Sequence, residues 1–298
     1  MRVISKFFLL LLTLLLFFVL NLLLGTVRIP VDAVLGILLG DESQQEIWRN
    51  IILSSRVPQA LTATVAGAGL AVSGLQMQTV FRNPLAGPSV LGISNGASLG
   101  VACVVLMSGS LGGVALSRLG YLGDAAMSVA AVVGALAVMA LILYVSQRVR
   151  GNVTLLIIGV MVGYLATAVI GVLKFFSAEE DIKAYVVWGL GSFARVSGDQ
   201  MVLFVVLMAV LIPLSFLLAK PMNLLLLGDR YAANLGLDVR RNRMLVIVAS
   251  GILVAIVTAY CGPIMFIGLA VPHLARALFG TSDHRVLLPA TALCGAVL

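Results

Sequence analysis

One short segment of this sequence has the residue types and spacing of a covalent catalytic site. Gly92-Ile93-Ser94-Asn95-Gly96 matches G-x-S-x-G, in which a hydrolase serine lies on a strand–turn–helix bend and is followed by an acid and a histidine. Here the motif lies within an apolar run, and the sequence has only two histidines, His273 and His284. We therefore keep a membrane-embedded hydrolase as a third alternative only, and interpret Ser94 and Asn95 as polar residues lining a pathway.

Metal and nucleotide chemistry are not predicted for this chain. It lacks H-E-x-x-H and any cluster of Cys, His and acidic residues at metal-ligand spacing, so we propose no metal site. It also lacks G-x-x-x-x-G-K-[ST], and none of its lysines follows a glycine, so it has no P-loop for ATP. We expect a protein that is not an enzyme and holds no cofactor of its own.

The composition predicts an all-α polytopic membrane protein, in contact with lipid, with one transmembrane domain over residues 1–298. Of the 298 residues, 61% are hydrophobic and 10% are charged, whereas about a quarter are charged in soluble domains. The last apolar run starts at Val286 and reaches Leu298, which is short of the roughly 20 residues of a span, so we expect the C-terminal part of the protein to be missing. We place about nine spans, at Phe7–Val27, Ala60–Phe81, Ser89–Met107, Ala125–Ser146, Val153–Phe176, Met201–Ala219, Met244–Tyr260, Ile264–Phe279 and from Val286 onwards.

The distribution of charge predicts the orientation. With the N-terminus in the cytoplasm, the inner loops carry 12 of the 19 basic residues and 3 of the 12 acidic ones. Such an excess of Lys and Arg marks the cytoplasmic side of a membrane protein. The net charge of +7 is then a consequence of topology, and we predict no nucleic-acid partner.

The polar segment Lys220–Arg243 separates two apolar runs and belongs to the predicted cytoplasmic side. We expect two short helices at the membrane surface, within about residues 221–243. Asp229 is a candidate N-cap for a helix over Arg230–Leu235, and Gly236 is a candidate stop signal. A structured amphipathic segment in this position indicates a docking site for another protein.

The second predicted span combines small and polar residues. Ala63, Gly67 and Ala71 repeat at a spacing of four, which permits close packing of helices. Gln76 and Gln78 are costly in lipid unless they face protein or a water-filled path. We therefore place Gln76 among the candidate pathway residues.

Several motifs in this order resemble the permease subunits of bacterial ABC importers for iron–siderophores, haem and vitamin B12. The resemblance covers almost the whole chain, and its motifs are specific in combination. They are Arg56-Val-Pro58, Ser73-Gly74 with Gln78, Arg82-Asn-Pro-Leu-Ala86, Leu91–Ala97, Trp188–Ser192, Leu224–Gly236, Gly262–Arg276 and Asp283–Pro289.

The resemblance implies a ten-helix permease fold in the bacterial inner (plasma) membrane and a homodimer with its pathway along the dimer axis. It also implies two P-loop ATPase subunits, which hold ATP and Mg, and a periplasmic or lipid-anchored substrate-binding protein. The cargo would be an iron–siderophore, or a metal chelate such as haem or cobalamin.

The resemblance also assigns roles to individual residues. The coupling helices that contact the ATPase would include Leu226, Leu227, Gly228, Asp229, Arg230, Ala232, Ala233, Leu235 and Gly236. The gate would comprise Asn83, Pro84, Leu85, Asn152 and Val153. Arg56 would dock the binding protein; Gln59 stands where relatives often have a second Arg, and Arg49 would supply part of the docking charge.

An ion-coupled secondary transporter is the main alternative. Such a carrier needs ionisable side chains at membrane depth, and the predicted spans contain almost none. We therefore favour a permease that is driven by a separate ATPase.

Overall fold

The computed structural model describes residues 3–41, 45–108, 121–149, 152–196 and 198–298, and the regular structure in these ranges is helical. Each predicted span coincides with a helix. The α-helices are α1 (Val3–Leu23), α2 (Val31–Leu38), α3 (Glu46–Ile51), α4 (Val57–Phe81), α5 (Ile93–Ser108), α6 (Tyr121–Ser146), α7 (Asn152–Phe175), α8 (Glu179–Gly189), α9 (Gly198–Phe216), α10 (Ala219–Leu226), α11 (Asp229–Asn234), α12 (Val239–Cys261), α13 (Ile267–Phe279) and α14 (His284–Val297).

Within the described ranges, five helical segments are long and apolar enough to cross a membrane. They include α1, α6, α7 and α12. The fifth is the continuous helical segment Glu46–Phe81, in which a π-helical turn over Ile52–Arg56 joins α3 to α4. A sixth results if α9 and α10, which are bent by 48°, count as one broken span. The apolar helices α5, α13 and α14 are shorter.

Two helices begin five or more residues before their predicted apolar runs. The helix predicted from Ala60 already begins at Glu46, and the helix predicted from Met244 begins at Val239. The side chain of Asp238 caps α12 by accepting a hydrogen bond from the backbone N–H of Arg241 (3.0 Å). Residues 239–243 therefore extend a long helix instead of belonging to the short surface helices.

The helix α4 lies at the centre of the bundle. Every residue from Ala66 to Phe81 is buried, and α9, α12, α13 and α14 pack around it. A helix that is buried on all faces needs apolar or small residues all round. The run of alanines and glycines in α4 meets this requirement.

Glycines let α4 approach its neighbours closely. A Cβ atom on Gly74 would lie 1.6 Å from the carbonyl oxygen of Gly268 in α13, and one on Gly67 would lie 2.1 Å from the carbonyl oxygen of Gly295 in α14. Helix backbones in membranes approach this closely only where the facing residues are small. The predicted small-residue contact of the second span is therefore present, and it involves both α13 and α14.

Replacing Gly74 by alanine should destabilise the bundle, because the new methyl group would overlap backbone atoms that cannot rotate away. Overpacking of this kind typically costs about 1–3 kcal/mol of unfolding free energy. The measurement is the apparent Tm of the purified protein in detergent, followed by size-exclusion chromatography.

The matched control is Gly171→Ala in α7, where nothing lies within 4 Å of the added Cβ. This change should be neutral or stabilise the helix by up to about 1 kcal/mol. Equal Tm shifts for the two variants would contradict the proposed backbone contact.

Candidate functional site

The helices α10 and α11 form a short, folded segment at one end of the bundle. Buried Met222 and Leu225 hold α10 against the other helices. Gly228, with φ of 107°, makes the bend before α11. Gly236, with φ of 83°, ends α11. Its N–H donates to the carbonyl of Ala233 (2.9 Å), and the N–H of Leu237 donates to the carbonyl of Ala232 (3.0 Å). These two bonds form a Schellman motif, so the predicted stop at Gly236 is confirmed.

This segment presents apolar side chains to its surroundings. Tyr231 is 70% exposed and shares a helix face with Leu235. Exposed apolar side chains within a polar stretch of sequence are typical of an interaction surface. We call Leu226, Leu227, Tyr231 and Leu235 the apolar docking surface; all four are exposed.

The other predicted coupling residues divide between surface and interior. Arg230, Ala233 and Gly236 are exposed, and Gly228 is half-buried. Ala232 is 0% exposed, so its predicted place on the partner-facing side is wrong. It packs inwards and fixes α11 to the bundle, whereas Tyr231, which was not predicted, faces outwards.

Asp229 connects three parts of the chain. It was predicted to cap α11, but Gly228 occupies the N-cap position and the Asp229 side chain makes no capping bond. Instead, one carboxylate oxygen accepts a hydrogen bond from Arg243 in α12 (2.8 Å), and the other is paired with Arg82 after α4. Exposed ion pairs contribute only about 0.2–1 kcal/mol each. These contacts therefore locate α11 more than they stabilise the fold.

The predicted gate loop, Asn83–Leu85, follows α4 directly. The Asn83 side-chain oxygen accepts the backbone N–H of Leu85 (2.9 Å), which forms a local Asx turn. The Pro84 carbonyl lies 2.9 Å from Nε2 of His273 in α13. The Leu85 side chain projects from the loop and is exposed. The loop thus has a defined shape, with one exposed apolar tip.

A buried polar group ties α10 to α4 and α14. His284 is 1% exposed; its Nδ1 lies 2.7 Å from Oδ1 of Asn223 in α10, and its Nε2 lies 2.8 Å from the Thr79 hydroxyl in α4. The Asn223 amide donates to Asp283 (2.6 Å). Two hydrogen bonds to its carboxylate lower the pKa of Asp283 below its ordinary value; the larger effect comes from the backbone N–H of Arg285 and the smaller from the Asn223 amide. The position of α10 is therefore fixed by hydrogen bonds to the start of α14, and through the His284 ring to α4.

The two glutamines of α4 differ in their surroundings. Gln78 donates to the Leu269 carbonyl (3.1 Å) and accepts from Arg276 (2.6 Å), both in α13. Gln76 is 0% exposed, and neither its amide oxygen nor its nitrogen has a hydrogen-bond partner among the described residues. Gln76 therefore faces packed protein within this chain, and the structure does not bring it to the loop at Asn83–Leu85.

The remaining predicted pathway residues lie at the start of α5 and α7. Ser94 and Asn95 are half-buried, and Asn95 packs against α7, where a Cβ on Gly163 would lie 2.6 Å from its side-chain nitrogen. Val153 is exposed in the first turn of α7. Asn152 begins this helix, but its side chain lies outside the described residues.

Comparison with known proteins identifies the family of this chain. The profile of the FecCD transport family matches residues 12–298. The chain belongs to the FecCD transport family.

Among its relatives in this family are two curated permeases. The hemin transport system permease protein HmuU of Yersinia pestis is 38% identical over 259 residues, which cover 87% of this chain and 74% of that protein. The vitamin B12 import system permease protein BtuC of Salmonella paratyphi A is 39% identical over 243 residues, which cover 81% of this chain and 71% of that protein.

A solved structure shares the fold. It is an inward-facing conformation of a metal-chelate type ABC transporter, with a TM-score of 0.82 and 30% sequence identity, and the match covers 97% of this chain and 86% of that one. Together with the apolar helices, these matches show an ABC-importer type of permease and a multi-pass protein of the inner membrane.

The FecCD resemblance predicted Arg56 as a docking residue, but the structure buries it. Its side chain is 7% exposed and donates hydrogen bonds to the carbonyls of Leu22 (2.6 Å), Leu23 (3.2 Å) and Val27. Carbonyls at a helix C-terminus lack partners within the helix and attract a cation. Arg56 therefore caps the end of α1. Of the other two predicted docking residues, Gln59 is half-buried and Arg49 is exposed.

Sequence reasoning missed the residues that hold α10 and α11 against the rest of the FecCD fold. Arg82, Asn223 and His284 were given no role, although Arg82 and His284 lie within motifs that carried the family resemblance. Two sequence signals could have found Arg82 and His284. Arg82 is a charged residue between a buried span and a proline-containing loop, and His284 is a polar residue at the start of a helix. The partners of these residues could not be read from the sequence.

Replacing Arg56 by methionine should lower the Tm of the protein, because the carbonyls at the end of α1 would lose a charged donor. Hydrogen bonds to charged groups contribute about 1.5–3 kcal/mol. The control, Arg28→Met in the exposed segment after α1, should stay within about 0.5 kcal/mol of the parent, as is usual for surface changes. A larger loss for Arg28→Met than for Arg56→Met would contradict the capping role.

Proposed function

We propose that this chain is the membrane subunit of an ATP-driven importer that moves a large metal chelate across the inner membrane. The observation that carries the proposal is the apolar docking surface on α10 and α11, next to a shaped loop at the end of the buried helix α4. A protein with this surface and no P-loop of its own needs a partner that supplies energy.

The partner that fits the docking surface is a P-loop ATPase with ATP and Mg bound. The flanking arginines, with Arg230 exposed beside the apolar side chains, support a cytoplasmic position for this end of the bundle by the charge rule. The N-terminus then lies on the same side. A homodimer of the chain binds two ATPase subunits inside and one substrate-binding protein outside, where Arg49 is exposed.

Transport follows from movement of the docking surface. ATP binding and hydrolysis in the partner displace α10 and α11, and the loop Asn83–Leu85 changes between closed and open positions. No covalent chemistry on the cargo is needed, because a ligand-driven shift between two conformations is sufficient for alternating access.

The cargo class is inferred from the relatives. One is named for hemin and one for vitamin B12, and the solved relative is of metal-chelate type. An iron–siderophore, haem or a cobalamin belongs to the same class of large, rigid metal complexes. We propose a chelate of this class as the cargo, selected mainly by the substrate-binding protein.

The first test is co-purification of the full-length protein with its co-encoded partners, followed by an ATPase assay. The double variant with Leu227→Asp and Leu235→Asp should reduce recovery of the ATPase by about tenfold or more, because the new carboxylates would be buried at the contact. The matched control is Leu190→Asp, which changes an exposed leucine after α8 and should leave recovery unchanged.

Two results would contradict the proposal. Equal recovery of the ATPase with both variants would exclude the docking surface as its binding site. Absence of an ATPase partner, with uptake that follows an ion gradient, would favour the ion-coupled secondary transporter.

A further inference from the structure

Arg82 lies at the junction between the buried helix α4 and the loop Asn83–Leu85. Its backbone φ is 48°, in the left-handed region. This conformation is common at the end of a helix, but glycine or asparagine usually adopts it. The position thus holds an arginine where the backbone alone favours a smaller residue, so its side chain requires an explanation.

The guanidinium group of Arg82 contacts both short helices. Its Nε donates to the carbonyl of Leu225 in α10 (3.1 Å), and its terminal nitrogen is paired with the carboxylate of Asp229 in α11. Within the described residues, every hydrogen bond that joins residues 82–86 to α10 or α11 comes from Arg82. The Arg82 side chain is therefore the hydrogen-bonded link between these helices and the loop.

The other end of the loop is held differently. The Pro84 carbonyl is bonded to His273 in α13, and α13 is in backbone contact with α4 through Gly268 and Gly74. The loop is thus attached to the packed core through its backbone, at Pro84 and at the end of α4, where the N–H groups of Arg82 and Asn83 donate to Thr79 and Gln78 (3.2 Å each). It is attached to the surface helices through the Arg82 side chain. Movement of α10 and α11 relative to this core therefore acts on the loop at the Arg82 side chain.

We propose that Arg82 is a positioning residue that transmits movement of α10 and α11 to the loop Asn83–Leu85. This inference rests on the proposed function, since it needs an ATPase that moves the two helices. Arg82 contacts neither cargo nor nucleotide in this assignment, and it acts through the loop that follows it.

Arg243 provides a matched comparison. It donates to the same carboxylate of Asp229 (2.8 Å), but it belongs to α12, and in the part of the chain that the structure describes it has no hydrogen bond to the loop. If the role of Asp229 were only to hold α11 in place, loss of either arginine would have the same effect. Transmission to the loop requires Arg82 alone.

The test follows the loop directly and needs no cargo. Leu85→Cys is introduced together with Cys103→Ser, because Cys103 is exposed whereas Cys261 and Cys294 are buried. The full-length complex with its ATPase is placed in lipid nanodiscs, and the labelling rate with a membrane-impermeant maleimide is compared without nucleotide and with ATP and vanadate.

In the parent complex, ATP with vanadate should change the labelling rate by about tenfold, as expected for a large shift between two states. Arg82→Asn should remove this difference, because asparagine suits the left-handed backbone but is too short to reach Asp229. Arg82→Lys should restore part of it, since lysine can still pair with Asp229. Arg243→Gln should keep it.

Three results would overturn the inference. An unchanged response in Arg82→Asn, with the ATPase still co-eluting, would exclude transmission through this residue and leave the proposed function intact. Equal losses in Arg82→Asn and Arg243→Gln would make the pairing with Asp229 purely structural. A parent complex without any response to ATP, or without an ATPase, would refute the proposed function and the inference together.

Discussion

Contact between the backbone of α4 and the backbones of α13 and α14 is the constraint on which the other features depend. Gly74 and Gly67 allow carbonyl groups of the neighbouring helices to lie where side chains would otherwise be. Within the hydrocarbon region there is no hydrophobic force between helices, so close packing and hydrogen bonds must hold them together. The end of α4 is thereby fixed, so the loop Asn83–Leu85 starts from a rigid support.

Most of the fold could be predicted from the sequence, because apolar runs and turn residues act locally. The nine predicted spans all coincide with helices, and Gly236 ends α11 as its type suggests. The errors at Glu46 and Val239 share one cause: polar residues occupy the first turns of these helices, and a helix that emerges from the membrane does not stop where hydropathy changes. Hydropathy reports the surroundings of a residue, whereas helix bounds follow from backbone bonds and caps.

The site could be predicted only in part, because its contacts join distant positions. The surface helices and the loop were located from their composition and from the family resemblance. Their connections were not: Arg82 and Asp229 are separated by 147 positions, and Thr79 and His284 by 205. Arg56 shows the same difficulty, since an arginine before a span looks available to an outer partner until the end of α1 is seen beside it. Residue type indicates what a side chain can bind, but only the fold decides which partner it meets.

The glycine contacts of α4 also restrict how the bundle can move. A rotation or a change of crossing angle between α4 and α13 would drive the carbonyl group of Gly268 into the backbone at Gly74, and the pair Gly67 and Gly295 imposes the same limit on α14. These three helices must therefore move as one rigid body. A path through the protein can open only at a boundary of this body, where side chains instead of backbones are in contact and can slide past one another.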